Sequence, residues 1–289
     1  ALPISVFGLW GHISSGFANR QPPNNMHQDA FKIIQNEGIS NVGINGEVCE
    51  AEYNTRCVRN QVSGPADQNG RMLLLGDSHS GDFEKPLTLF ARKNNLNFWQ
   101  VSIGGCGFIP MHHQQHRGDC GAAIKETLAF IKQENVDIVV IAINMAHYYK
   151  GLDQKTASKQ TEAFIEYINQ ISKSGGRIIY ITPRDYFTQD PNFHRYANQA
   201  CSIQAFEQSK LYQDLEERLK SLLWQNNGVV FEQRLILRRL FSEEECSQGY
   251  WNKKPLYSDT NHLTEFGGDI MFQNGLEDLL MQLFQLDNN

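Results

Sequence analysis

From Arg71 onward the chain alternates short apolar runs with longer amphipathic stretches. Met72 to Leu75 is an unbroken apolar run, the pattern of a strand buried on both faces. Gly76 and Asp77 break it, and from Ser80 a polar, then amphipathic stretch predicts a helix over about 80–94. Asn97 to Ser102 reads as a second strand, followed by the glycine-rich loop Ile103-Gly104-Gly105-Cys106-Gly107-Phe108-Ile109-Pro110. A helix at about 120–134 precedes Asp137 to Ile143, whose β-branched run is the clearest strand signal. The next helix, about 155–174, stops at Gly175-Gly176. Arg177 to Thr182 is the fourth strand, closed by Pro183. A long helix over about 202–224, a fifth strand over Gly228 to Glu232 and a last helix from about Thr264 to Phe284 complete the series. Such alternation predicts an α/β fold, a parallel sheet with helices on both faces.

Residues 1–65 do not fit the alternation. They hold Pro3, the Pro22-Pro23 pair, several Asn and Gly, and one plausible helix from Met26 to Asn36. They read as an N-terminal extension packed on the main domain, 66–289, with the boundary in Gln61 to Asn69, where Gly64 and Pro65 lie.

The strand ends carry candidate chemistry. Ser78 falls at the turn from the first strand into its helix. That turn presents a hydroxyl at the carboxyl edge of the sheet, where open α/β folds bind ligands, beside the backbone N–H groups of a helix start. A base for it stands near the other end of the chain, in Tyr257-Ser258-Asp259-Thr260-Asn261-His262-Leu263-Thr264. Asp259 and His262 are spaced so that one turn brings the carboxylate to the imidazole and leaves the other ring nitrogen for Ser78. Oxyanion donors would be the Ser78 N–H, a backbone N–H of Gly104-Gly105, and the side-chain amide of Asn144 just past the third strand. Plain turn and loop roles for these residues stay open. His147 with Tyr148 and Tyr149, and Arg184-Asp185-Tyr186-Phe187 after the fourth strand, are candidate substrate contacts at the same edge, with core packing and a surface ion pair as their alternatives. His79 reads as packing rather than as the base. His112, His113 and His116 have no carboxylate arranged with them and read as a solvated loop, so no metal is expected.

Composition narrows the field. The chain has 289 residues, is 40% hydrophobic and carries a net charge of −6, which argues against nucleic acid or an anionic membrane surface as partner. No stretch reaches the ~20 apolar residues of a membrane span. Leu2 to Trp10 is apolar but lacks the basic flank and cleavage site of a signal peptide, so an export signal is expected upstream of Ala1 in a longer protein. Cys49, Cys57, Cys106, Cys120, Cys201 and Cys246 are even in number, with no Cys-x-x-Cys spacing. Most sit in polar loops, which favours disulfides over buried thiols. Sequential pairing would give Cys49–Cys57, Cys106–Cys120 and Cys201–Cys246, implying an oxidising compartment.

Gly76-Asp77-Ser78 after a strand, with Asp259-x-x-His262 near the C-terminus, resembles the SGNH (GDSL-like) esterase and acyltransferase family over about residues 71–285. The resemblance implies a flavodoxin-like three-layer sandwich. It also implies Ser78 as nucleophile, Asp259 and His262 as its partners, and Gly105 and Asn144 as oxyanion donors. The family's usual Gly-x-Asn-Asp block is here Ala142-Ile143-Asn144-Met145. Leu-Leu-Gly-Asp-Ser-His-Ser, the Gly-Cys-x-x-x-Pro loop and Pro-Leu-Tyr-Ser-Asp-x-x-His-Leu-Thr are similar to the SGNH domain fused behind a bacterial acyltransferase-3 membrane domain. That likeness implies a periplasmic domain of an inner-membrane protein, joined to its membrane half in one polypeptide. It would need no cofactor of its own, with acyl-CoA as the upstream donor to the membrane domain. It would pass an acyl group, acetyl by expectation, to sugars of lipopolysaccharide O-antigen or another surface polysaccharide. A carbohydrate O-acetyl esterase with the same three residues is the alternative, and a non-catalytic glycan-binding module a third.

Overall fold

The computed structural model describes residues 59–62, 70–110, 120–184, 186–187, 203–204, 210–240, 250–251, 254–259 and 261–285. The expected helix at 26–36, the Cys49–Cys57 and Cys201–Cys246 pairs, Asp185 and the histidines at 112, 113 and 116 lie outside the described residues.

The strands, in chain order, are β1 (Arg59–Val62), β2 (Arg71–Gly76), β3 (Asn97–Ser102), β4 (Ile138–Ala142), β5 (Arg177–Ile181), β6 (Tyr186–Phe187), β7 (Ile203–Gln204), β8 (Val229–Phe231), β9 (Tyr250–Trp251) and β10 (Lys254–Pro255). The main sheet has the order β1-β3-β2-β4-β5-β8. Its five strands from β3 to β8 are parallel, as the alternating pattern requires, and the edge strand β1 pairs antiparallel with β3. This is the flavodoxin-like order, which reverses direction at β2. The antiparallel edge strand was not predicted, and it comes from the extension side of the boundary expected near residue 65.

The helices are α1 (Glu84–Lys93), α2 (Cys120–Gln133), α3 (Met145–Tyr148), α4 (Gln154–Lys173), α5 (Lys210–Gln225), α6 (Gln233–Leu240), α7 (Glu265–Met271) and α8 (Glu277–Phe284). Alternate strand residues feed two cores. Leu73, Leu75, Val139 and Ile141 pack with α2, α4 and α5 on one face. Met72, Leu74, Ile138 and Val140 pack with α1, α6, α7 and α8 on the other. Both faces of the central strands are therefore dry, which is why their sequences run apolar without alternation.

Three predicted helices are shorter or broken. The stretch read as 80–94 is a 3-10 turn over Ser78–Phe83 followed by α1. The Asp77 side chain caps that turn, and Pro86 sits in the first turn of α1, where a missing N–H is harmless. The last helix divides into α7 and α8 at a π-type bulge over Phe272–Leu276, where Asn274 and Gly275 leave helical dihedrals and Gly275 takes φ 137°. The helix predicted from about 202 begins at Lys210, because Ile203 and Gln204 pair with Phe187 and Tyr186 instead.

The register aligns the functional edge. Gly76, the last residue of β2, stands opposite Ser102 of β3 on one side and Ala142 of β4 on the other. The segments beginning at Asp77, Ile103 and Ile143 therefore leave the sheet side by side. Gly76 makes this approach possible, since a Cβ there would overlap the Ala142 carbonyl oxygen.

Candidate active site

The turn after β2 holds an exposed serine in a buried frame. Ser78 is exposed, whereas Asp77, His79 and Ser80 are buried. Asp77 Oδ1 accepts from the His79 N–H (3.0 Å). Its Oδ2 accepts from the Asn144 N–H (3.1 Å) and the Tyr148 hydroxyl (3.2 Å). Burial nevertheless pushes the Asp77 carboxyl up to about 6, the three hydrogen bonds only partly offsetting it. The hydroxyls of Ser80 and Ser102 both reach the Asp77 carbonyl oxygen (2.7 and 3.1 Å). Asp77 and Ser80 are thus tied to Ser102 of β3 and to Asn144 and Tyr148 just past β4, while Ser78 itself is exposed.

The loop ahead of α7 is equally constrained. Tyr257 and Leu263 bridge across it, and the Ser258 N–H donates to the His262 carbonyl (2.9 Å). Asp259 Oδ1 accepts from the N–H groups of Asn261 and His262, both at 2.8 Å. Thr264 caps α7 by accepting from the Gly267 N–H (3.0 Å) and donates to the Pro255 carbonyl (2.7 Å). Asp259 Oδ2 then lies 2.7 Å from His262 Nδ1, and His262 Nε2 lies 2.8 Å from Ser78 Oγ, across a separation of 184 residues.

The electrostatics suit a base. Burial raises the Asp259 carboxyl, but hydrogen bonds from the His262 ring and two backbone N–H groups outweigh it and hold it at about 2. Burial alone would lower the His262 imidazole. The Asp259 hydrogen bond and the charge of Asp82 overcome this and leave it above its usual value. The arrangement can take a proton from Ser78 onto His262 Nε2 and stabilise the resulting imidazolium from behind.

The other sequence-predicted residues separate into two groups. Gly105 is exposed, takes φ 74° and sits in the turn that follows β3, whose Ile103 N–H donates to the Gly76 carbonyl (2.9 Å). The following residue, Cys106, is disulfide-bonded to Cys120 at the start of α2, with a Cα–Cα distance of 5.8 Å, one of the pairs expected from sequential pairing. Asn144 is buried next to the Ser78 turn, and His147 is exposed on α3. Tyr148 and Arg184 differ from expectation as substrate contacts. Tyr148 is turned inward, its ring in the core and its hydroxyl on Asp77. Arg184 is only 2% exposed, and all its nitrogens reach protein atoms.

Arg184 ties the site together from below. It pairs with Asp82 of the Ser78 turn, donates from Nε to the Asn261 carbonyl (2.6 Å), and reaches His79 Nδ1 (3.1 Å) and Gln233 Oε1 (3.5 Å). Gln233 in turn donates to the Thr182 carbonyl. Burial pushes the Asp82 carboxyl up, opposed by the guanidinium beside it. Sequence reading missed this network because Asp82, Arg184 and Gln233 share no spacing. Only a charge in the apolar surroundings of β5 hinted at it. His79 is packed inside, as expected, but with both ring nitrogens engaged. Among the described residues no cluster of three or more His, Cys, Asp or Glu could hold a metal ion, and no helix is long and apolar enough to cross a membrane.

A flavodoxin-like sheet with Gly-Asp-Ser at the end of its first parallel strand, and Asp-x-x-His ahead of its last helices, defines an enzyme of the SGNH type. Residues 45–273 match the family described as the SGNH domain fused to AT3 domains, and the chain belongs to that family. The periplasmic domain of the lipopolysaccharide acetyltransferase of Salmonella ser. Paratyphi A is 13% identical, with a TM-score of 0.57 over 90% of this chain and 98% of that one. An acetyl xylan esterase, AlAXEase, is 14% identical, with a TM-score of 0.48 over 72% and 99%. The C-terminal catalytic domain of Streptococcus pneumoniae peptidoglycan O-acetyltransferase A is 12% identical, with a TM-score of 0.38 over 76% and 96%. No curated protein matches in sequence.

Proposed function

We propose that this domain transfers an acyl group, acetyl by preference, to sugar hydroxyls of a surface glycan such as lipopolysaccharide O-antigen, through an acyl-Ser78 intermediate. The observation that carries the chemistry is the 2.8 Å contact from His262 Nε2 to Ser78 Oγ, with Asp259 bonded to the other ring nitrogen. Ser78 Oγ attacks the carbonyl carbon of the acyl donor as its proton passes to His262. The imidazolium returns that proton to the departing group, leaving the acyl ester on Ser78. A sugar hydroxyl then gives its proton to His262 and attacks the ester, and the imidazolium returns that proton to Ser78 Oγ as the acyl–serine bond breaks. The Ser78 N–H, the Gly105 N–H and the Asn144 amide are the proposed oxyanion donors. His147, exposed after β4, is the remaining candidate for contact with the sugar.

Membership of a family fused to AT3 domains supports the rest of the reading. The donor would be an acyltransferase-3 membrane domain in the same polypeptide, charged from acyl-CoA, with this domain in the periplasm and needing no cofactor of its own. The likeness to a lipopolysaccharide acetyltransferase supports a glycan acceptor. Exposure of Ser78 also favours a second reading, a carbohydrate O-acetyl esterase, because water reaches the same ester. Turnover of p-nitrophenyl acetate with and without an oligosaccharide acceptor separates the two. Transfer of acetyl to the glycan supports the transferase, and release indifferent to the acceptor supports the esterase. Ser78→Ala is expected to abolish both activities, and a fully active variant would refute the nucleophile.

A further inference from the structure

Arg184, His79 and Asn144 form a buried chain whose hydrogens can be assigned by elimination. Arginine has no acceptor, so the guanidinium NH2 at 3.1 Å from His79 Nδ1 must donate to it. His79 Nδ1 is then bare, and a neutral ring carries its proton on Nε2. Burial, together with the charges of Arg184, His262 and His147, pushes the His79 imidazole well below its usual value, which keeps it neutral. Asp82, the carboxylate of this cluster, is paired with Arg184. His79 Nε2 lies 3.2 Å from the Asn144 amide, on the atom drawn as Nδ2. Two donors cannot face each other there, and the N and O of an amide have the same shape. Turning the amide puts Oδ1 against the His79 Nε2–H and carries the NH2 to the side away from the imidazole. The opposite tautomer would reverse this, because a bare Nε2 would hold the Asn144 NH2 to itself.

We propose that Arg184 and His79 are positioning residues that set the Asn144 side chain with its amide NH2 turned from His79 toward the oxyanion. The proposal rests on the reading of Asn144 as an oxyanion donor. Asn144 is placed for it, since its backbone N–H is held by Asp77 beside Ser78. His79 also packs against the His262 ring, with centroids 4.9 Å apart, but the effect proposed for it passes through the amide.

The test is a double-mutant cycle on p-nitrophenyl acetate turnover. Asn144→Ala is expected to lower kcat by about 10²- to 10³-fold, the usual loss for one oxyanion donor. His79→Phe, which keeps the ring but loses the Nε2–H, is expected to lower kcat by about tenfold or more with KM little changed, and His79→Gln to recover part of that loss. The decisive result is the double variant, expected to be no slower than Asn144→Ala alone, because residues acting as a unit are not additive. If His79→Phe costs the same factor in both backgrounds, the proposal falls while the oxyanion role of Asn144 stands. If Asn144→Ala turns over normally, the oxyanion reading falls, and the proposal with it. Nitrogen NMR of labelled histidine in the unmodified protein tests the same point whether or not the variants fold. The His79 ring is expected to show a bare Nδ1 and a protonated Nε2, and the reverse tautomer overturns the proposal.

Discussion

Removing one buried oxygen, in Tyr148→Phe, tests how the nucleophile turn is held. The Tyr148 hydroxyl is one of three donors to Asp77, and burial has moved that carboxyl from 3.8 to about 6. At about 1.4 kcal/mol per tenfold, the shift means that folding disfavours the ionised Asp77 carboxyl, relative to the protonated one, by about 3 kcal/mol. The folded protein therefore binds a proton more tightly than the unfolded chain, and stability falls as pH rises from 3.8 through about 6. A hydrogen bond to a charged group contributes ~1.5–3 kcal/mol. At 3.2 Å this one is long for a hydroxyl donor, so ~1.5 kcal/mol is the appropriate figure. Its loss should raise the Asp77 carboxyl further, by about one pH unit. Urea unfolding of the variant and the parent at pH 5 and pH 8 reads the effect directly. The variant should lose about 1.5 kcal/mol at pH 8 and about 0.5 kcal/mol at pH 5, where Asp77 is protonated and the bond is a neutral one. Effects of the Phe ring on the unfolded chain are common to both pH values and cancel in the difference. Equal losses at the two pH values, or the larger loss at pH 5, would show that Asp77 is not the charge this hydroxyl supports.

The other expectations concern the triad and its supports. Asp259→Asn should lower kcat by about 10³–10⁴ while leaving KM close to the parent value, because the ring loses the acceptor that sets its tautomer; a loss under about tenfold would remove Asp259 from the mechanism. His262 must be neutral to take a proton, and Asp259 and Asp82 hold its imidazole above 6.5, so kcat/KM should rise with pH along a limb centred above that value; a limb centred below it contradicts the assignment. Gly268→Ala would drive a Cβ into the Asp82 carbonyl oxygen, where α7 meets the nucleophile turn, and should destabilise the protein by ~1–3 kcal/mol, seen as a lower Tm; an unchanged Tm would mean that this contact relaxes freely.

The sheet and both motifs of the candidate site could be read from the chain. Met72 to Leu75 and Ile138 to Ala142 are apolar without interruption because they are buried on both faces, and that burial is written into their composition. Asp259 and His262 announce themselves because their contact is local, closed by one turn. Contacts made across the fold leave no such trace. That Tyr148 faces Asp77, that Arg184 lies inside and joins Asp82, His79 and Asn261, and that Ile203 pairs with Phe187 rather than joining a helix all depend on register and packing between distant segments. The meeting of His262 with Ser78 belongs to both kinds. The residue types were legible in the sequence, but the 2.8 Å between them follows from aligned strand ends and from the close packing of α7 on the nucleophile turn, where Gly268 leaves room for the Asp82 carbonyl.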